Sequence, residues 1–173
     1  MSELLAEKLI RDIPDFPKPG ILFKDITPVL GDFAAFQQVI DLFVDWATPR
    51  KPDVIIGVES RGFVFGAPVA LKMGLGFVPV RKIGKLPHHT IQEEYALEYG
   101  TAIVEVHRDA VLPGQRALIV DDLLATGGTA SASARLVEAL GGKVIGFSFV
   151  IELDFLAGRE KLSAYDIQTL IKY

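Results

Sequence analysis

Short apolar runs rich in β-branched residues alternate along the chain with stretches of helical period, the pattern of a parallel α/β architecture. Four runs predict strands, at 54–58, 77–81, 117–121 and 144–151, and each is nearly continuous in apolar residues, as a strand covered on both faces must be. Phe36, Val39, Ile40, Phe43 and Ala47 recur at helical spacing, with Asp32 placed to cap that helix. A second helix is expected over 61–72, ending before Gly74 and Gly76. A third is expected over 128–140, stopped by Gly141 and Gly142.

Two segments break the alternation. The stretch 15–29 sets prolines (Pro17, Pro19, Pro28) and Gly20 around a short apolar piece, 21–23. The stretch 81–100 carries Arg81, Lys82, Lys85, Pro87, His88 and His89, and the alternating run 101–106 after it reads as a strand, half of a hairpin. Long irregular stretches in a compact domain are usually functional or disordered. At the far end, 156–162 reads as helical and 167–171 as an added strand, taken as packing or dimer contact. With no repeat and no linker, residues 1–173 are expected to form a single domain.

Composition narrows the class. The chain has 173 residues, 50% of them hydrophobic and 23% charged, enough for one domain with a sizeable core. A net charge of −4 argues against a nucleic-acid coat, so no nucleic-acid partner is expected. Zero cysteines remove disulfides, thiolate metal sites and cysteine nucleophiles. The first 13 residues carry charges every few positions and lack the apolar core of a signal peptide, and no run approaches the roughly 20 apolar residues of a membrane span. A cytoplasmic α/β domain without a membrane partner is expected.

The chemistry concentrates in ALIVDDLLATGGT, residues 117–129. A buried strand delivers Asp121 and Asp122, and Thr126, Gly127, Gly128 and Thr129 open a helix beyond it. Ligands of parallel sheets bind beyond the carboxyl ends of the strands, and a helix N-terminus offers free N–H groups to a phosphate. Two adjacent carboxylates cannot both face that phosphate; they suit the vicinal hydroxyls of a sugar or a hydrated metal ion. The familiar nucleotide loops are absent. Gly84-Lys85 is followed by Leu86 and Gly142-Lys143 by Val144, so neither is a Walker loop, and Pro79 breaks the dinucleotide pattern after Gly74 and Gly76.

With its acidic pair and Thr-Gly-Gly-Thr loop in one run, the chain resembles the type I phosphoribosyltransferase family. The likeness extends to FPKPGILFKDITPVL (16–30), GVESRGFVFG (57–66), RKIGKLP (81–87) and LEYG (97–100), which resemble the branch of that family acting on adenine. The resemblance implies an α/β fold: a parallel-sheet core with flanking helices, an N-terminal hood at about 15–30 and a flexible loop. It also implies a reaction of purine salvage, the transfer of the 5-phosphoribosyl group from phosphoribosyl diphosphate to N9 of adenine, giving AMP and diphosphate. Carried over residue by residue, Asp121 and Asp122 hold the ribose, and Ala125, Thr126, Gly127, Gly128 and Thr129 hold the 5′-phosphate. Glu59, Ser60, Arg61, Gly62, Arg81 and Lys85 meet the diphosphate. Leu22, Phe23 and Lys24 bind adenine, Phe23 by stacking and its neighbours through the backbone.

Glu98 falls at the position of the family's catalytic glutamate, although as a lone residue it reads as a solvated charge. Lys24 departs from the arginine that relatives often carry, and lysine stacks less well on a base. Ala125 stands where relatives acting on 6-oxopurines commonly carry an acid, which favours adenine. His88, His89 and His107 read as surface or loop histidines, with His88 or His89 a further candidate for the diphosphate. The resemblance further implies Mg²⁺ held mainly by substrate and water, with no metal cage from the protein, and a homodimer. A binding protein that senses the same ligand without chemistry is the alternative class, as is an enzyme for another base.

Overall fold

The apolar runs at 54–58, 77–81, 117–121 and 144–151 lie side by side in one sheet. The computed structural model describes residues 4–97 and 100–173, and the chain divides into two compact units, Met1–Leu42 and Phe43–Tyr173. In the first unit, helix α1 (Leu5–Leu9) leads into an antiparallel ribbon of β1 (Arg11–Pro14) and β2 (Leu22–Asp25), followed by α2 (Thr27–Gly31) and the start of α3 (Phe33–Ala47). Asp32 caps α3 as expected: its carboxylate accepts the Ala35 N–H at 2.9 Å. Asp25 ties the ribbon together. The Thr27 hydroxyl above all, with the Thr27 N–H and the Arg11 guanidinium, holds its pKa down to about 2.

The second unit adds β3 (Val54–Val58), α4 (Arg61–Met73), β4 (Gly76–Lys82), β5 (Thr90–Ala96), β6 (Thr101–His107), β7 (Arg116–Leu124), α5 (Gly128–Ala139), β8 (Lys143–Glu152) and β9 (Ile167–Lys172). The sheet order is β5-β6-β4-β3-β7-β8-β9, parallel from β4 to β9 and antiparallel at β6 and β5. From β3 the chain first builds one way, to β4, and later the other way, through β7 and β8. The order therefore reverses between β3 and β7, where open parallel sheets leave a crevice beyond their carboxyl ends. Alternation divides the buried residues. Ile56 and Ile119 belong to a core shared with Ala130, Leu136 and Val137 of α5, whereas their buried neighbours Ile55 and Leu118 face the opposite side of the sheet.

The predicted strands and helices stand, with three differences. The 81–100 stretch is not irregular throughout: β5 occupies 90–96 and completes the hairpin with β6. Its Gln92-Glu93-Glu94 centre hides a strand that alternates Ile91 and Tyr95 toward the core. The 156–162 segment forms 3-10 turns, Asp154–Leu156 and Gly158–Leu162, instead of an α-helix; Ala157 at φ 50° separates them. Finally β7 runs on to Leu124, so both aspartates lie within the strand. Among the described residues no helix is long and apolar enough to cross a membrane.

At the end of β8 the buried Glu152 accepts two bonds from Arg159 (2.9 and 2.6 Å) and one from the Thr169 hydroxyl (2.8 Å). The Arg159 bonds outweigh burial and hold the Glu152 pKa down to about 2 from 4.5. A carboxylate with a lowered folded pKa contributes stability that is complete above about pH 5 and fades as pH falls toward about 2. Glu152→Gln should therefore cost up to about 3 kcal/mol at neutral pH and flatten the acid slope of the unfolding free energy. Urea unfolding at several pH values between neutral and 3 measures both.

Candidate active site

Three chain segments meet at the reversal point. The first follows β3. Ser60 precedes α4, the Glu59–Ser60 peptide is cis, and Arg61 opens the helix. Gly62 is required there because α4 comes against β7. A Cβ at this position would sit 2.7 Å from the Val120 carbonyl oxygen and 2.9 Å from Asp121 Oδ1. This close approach lets Arg61 Nε reach Asp122 Oδ2 at 2.5 Å, an ion pair whose acid is only 7% exposed.

The second segment is the acidic pair itself. Asp121 Oδ1 accepts the Asp122 N–H at 2.8 Å. Removal from water and then the neighbouring Asp122 charge push the Asp121 carboxyl well above its usual range. The strand then turns at 125–127 into α5, whose N-cap is Gly127 at φ 74° with no side-chain cap. The first-turn N–H groups of α5 are thus uncapped, the arrangement that suits an anion. A hollow of ≈ 80 Å³ lined by Ala125, Thr126, Gly127, Gly128 and Thr129 lies in this loop.

The third segment is the basic one. Arg81 forks onto Glu59, with Nε to Oε2 at 3.2 Å and Nη2 to Oε1 at 3.0 Å, and the Lys82 N–H donates to the same carboxylate at 3.0 Å. The Arg81 bonds above all hold the Glu59 carboxyl below its usual range. Buried Glu105 organises the turn beyond β4 by accepting the N–H groups of Lys85 and Leu86, each at 3.0 Å, and the Thr90 hydroxyl at 3.1 Å. Burial pushes its carboxyl up, but these bonds together hold it below the usual range.

A cavity of ≈ 360 Å³, within the usual size for a small-molecule site, joins the three segments. Glu59, Ser60 and Arg61 line it on one side, and Asp121, Asp122, Ala125 and Thr129 on the other. Thr126, Gly127 and Gly128 line the adjoining hollow. Arg81 and Lys85 are outside both linings: the Arg81 guanidinium lies on Glu59 and also donates to the Lys85 carbonyl at 3.1 Å. Glu98 lies outside the described residues. Leu22, Phe23 and Lys24 belong to the first unit. There Leu22 is half exposed, the Phe23 ring meets Phe16 edge-on with centroids 5.1 Å apart, and the buried Lys24 ammonium lies 2.6 Å from Asp12. His88, His89 and His107 form a cluster, with His88 ring centroids 4.8 Å from His89 and 6.2 Å from His107, and none lines the cavity.

Two further polar residues line the cavity: Lys82, assigned no role by the sequence, and Tyr95. Lys82 was visible within the basic cluster. Tyr95 carries no local signal, because Glu93 stands between Ile91 and Tyr95 on the same face of a strand whose centre is polar. The Tyr95 ring lies against Gly128, where an added Cβ would come 3.0 Å from it. Arg135 of α5 clamps the same strand, with Nε to Glu93 at 2.9 Å.

Residues 34–172 match the phosphoribosyl transferase domain family. The chain is 57% identical over 173 residues to the adenine phosphoribosyltransferase of Desulfitobacterium hafniense, covering 100% of both sequences. The crystal structure of the Thermoanaerobacter pseudethanolicus adenine phosphoribosyltransferase superposes with a TM-score of 0.95 at 60% identity, over 97% of this chain and 98% of that one. The Saccharomyces cerevisiae adenine phosphoribosyltransferase, solved with an imino-altritol bisphosphate and adenine, gives 0.90 at 44% identity, over 95% and 96%. The chain belongs to the phosphoribosyltransferase family and, within it, to the adenine phosphoribosyltransferases.

Proposed function

We propose that this chain transfers the 5-phosphoribosyl group of phosphoribosyl diphosphate to N9 of adenine, releasing AMP and diphosphate. The observation that carries the reading is the convergence, at the carboxyl ends of β3, β4 and β7, of the Asp121–Asp122 pair, an uncapped helix N-terminus and two cations, Arg61 and Lys82, around one cavity. In this reading the first turn of α5, with Thr126 and Thr129, binds the 5′-phosphate. Asp121 and Asp122 accept the ribose 2′- and 3′-hydroxyls, which requires the Arg61–Asp122 pair to open or be shared. Arg61 then turns to the diphosphate, and Arg81 and Lys85 reinforce the positive field there.

As the C1′–O bond to diphosphate breaks, C1′ gains positive character and adenine N9 attacks from the opposite face to form the N9–C1′ bond. The proton displaced from the purine passes to a base. Ala125 has no group for this, and Glu98 is the carboxylate the resemblance places there. Leu22, Phe23 and Lys24 are assigned to adenine. The Lys24 side chain is committed to Asp12, so its contact with the base is through the backbone.

The donor set fits a Mg²⁺ that arrives on the substrate. Among the described residues no group of three or more His, Cys, Asp or Glu side chains is placed to hold a metal ion, and the cavity's carboxylates are engaged by Arg61, Arg81 and backbone N–H groups. Asp121 and Asp122 are the residues that would meet its waters, in keeping with the way Mg²⁺ retains much of its hydration. When bound, Mg²⁺ neutralises charge developing on the leaving diphosphate. We further propose a homodimer in the cytoplasm, with no nucleic-acid partner.

The test is AMP formation from phosphoribosyl diphosphate and adenine with Mg²⁺ present, chelated and restored. Turnover that vanishes on chelation and returns on restoration is the expected result. Turnover indifferent to chelation contradicts the metal assignment, and binding of phosphoribosyl diphosphate without AMP formation contradicts the enzyme reading.

A further inference from the structure

The 125–127 turn is supported from outside the substrate space. Gly158, which lines neither hollow, meets it backbone to backbone. A Cβ on Gly158 would lie 2.0 Å from the Ala125 carbonyl oxygen and 2.9 Å from the Gly127 nitrogen. In the reverse direction, a Cβ on Gly127 would lie 2.4 Å from the Gly158 carbonyl oxygen. Only a glycine on each side permits this contact.

The segment carrying Gly158 is fixed by its neighbour in sequence. Arg159 forks onto Glu152 at 2.9 and 2.6 Å and also donates to the Thr169 hydroxyl at 3.3 Å. Lys172 adds a contact to Glu152 at 3.4 Å. Glu152 is only 2% exposed and pairs in register with Leu124, the residue immediately before the turn. Leu162, fully buried, anchors the other end of the segment. The end of β7, Glu152, Arg159, Gly158 and the turn thus form a closed ring of contacts.

We propose that Gly158, held by the Arg159–Glu152 ion pair, is a positioning residue that sets the shape of the 125–129 loop and through it the affinity for the 5′-phosphate. The proposal rests on the reading of that loop as the phosphate site. A cradle of backbone N–H groups works only when held to within about 0.5 Å of its productive geometry, and a misplacement of about 1 Å can cost a hundredfold. Gly158 touches no substrate in this account; it acts through Ala125 and Gly127.

The experiment is steady-state kinetics with the two substrates varied separately, on the parent, Gly158→Ala, Arg159→Met, Arg159→Lys and Thr129→Ala. Gly158→Ala and Arg159→Met are expected to raise KM for phosphoribosyl diphosphate by about tenfold or more, leaving KM for adenine within about twofold. Arg159→Lys, which keeps a charge opposite Glu152, should restore most of the affinity. Thr129→Ala reports on the loop assignment itself. If it raises KM for phosphoribosyl diphosphate while Gly158→Ala does not, the loop reading stands and the positioning role is wrong. Equal rises in both KM values would also overturn it, as the mark of a general structural defect. If neither Thr129→Ala nor Gly158→Ala moves that KM, the loop assignment fails and takes the proposal with it. Should Arg159→Met not fold, Gly158→Ala, which leaves the ion pair in place, still decides.

Discussion

Asp121→Asn is expected to make the protein more heat-stable and a poorer enzyme at the same time. Burial and the adjacent Asp122 charge raise the pKa of Asp121 well above 3.8. A carboxyl whose folded pKa is raised disfavours the fold above that pKa, and the penalty disappears as pH falls toward the unfolded value. The amide cannot ionise, so it removes the penalty of charging this carboxyl beside Asp122, and it keeps an oxygen for the Asp122 N–H, which Asp121 Oδ1 now accepts at 2.8 Å. A gain of about 1 kcal/mol would appear as a rise in Tm of roughly 2–4 °C for a domain of this size. The gap between variant and parent should narrow at acid pH. Catalysis moves the other way. An amide accepts sugar hydroxyls more weakly than a carboxylate, so kcat/KM for phosphoribosyl diphosphate should fall by roughly 10–100-fold. Calorimetry across pH, paired with initial rates, measures both halves. A variant with lower Tm and full activity would contradict the assignment of Asp121 to the ribose.

The second large effect belongs to Gly127→Ala. Gly127 has φ 74°, and a Cβ there would lie 2.4 Å from the Gly158 carbonyl oxygen. The left-handed conformation costs a non-glycine residue roughly 1–2 kcal/mol, and relief of the overlap by backbone shift roughly 1–3 more. The turn carries the N-terminus of α5, so the shift moves the N–H groups assigned to the 5′-phosphate. Stability should drop by about 3 kcal/mol and affinity for phosphoribosyl diphosphate by about a hundredfold. Chemical denaturation and titration with phosphoribosyl diphosphate test the two effects separately. Unchanged affinity in a destabilised variant would remove the loop from the binding site.

The parts of this architecture legible in the sequence are those written in short-range patterns. The buried strands announce themselves as apolar runs, α3 through its spacing and Asp32 cap, and α4 and α5 through the glycines at their ends. The acid pair and the threonine-glycine loop stand out because they follow a buried strand and open a helix. What stayed hidden depends on partners distant in sequence. β5 has a polar centre and becomes a strand only against β6. Glu105 reads as one more charge in an alternating strand, and its role comes from the backbone N–H groups brought to it across the β4–β6 pairing. Gly158 sits in what reads as a helix, and nothing local says that it meets a loop more than thirty residues earlier. The choice of Asp122 by Arg61, and of Glu59 by Arg81, is likewise settled by the crossing of α4 and the pairing of β3 with β4.

The most direct test of the central claim is a competition. The protein would be given phosphoribosyl diphosphate and Mg²⁺ with adenine, hypoxanthine and guanine together at equal concentration, and AMP, IMP and GMP would be resolved. AMP as the dominant product is the predicted result, since Ala125 supplies no acid for a 6-oxopurine. IMP or GMP in comparable amount would contradict the assignment of adenine as the substrate while leaving the phosphoribosyltransferase fold intact.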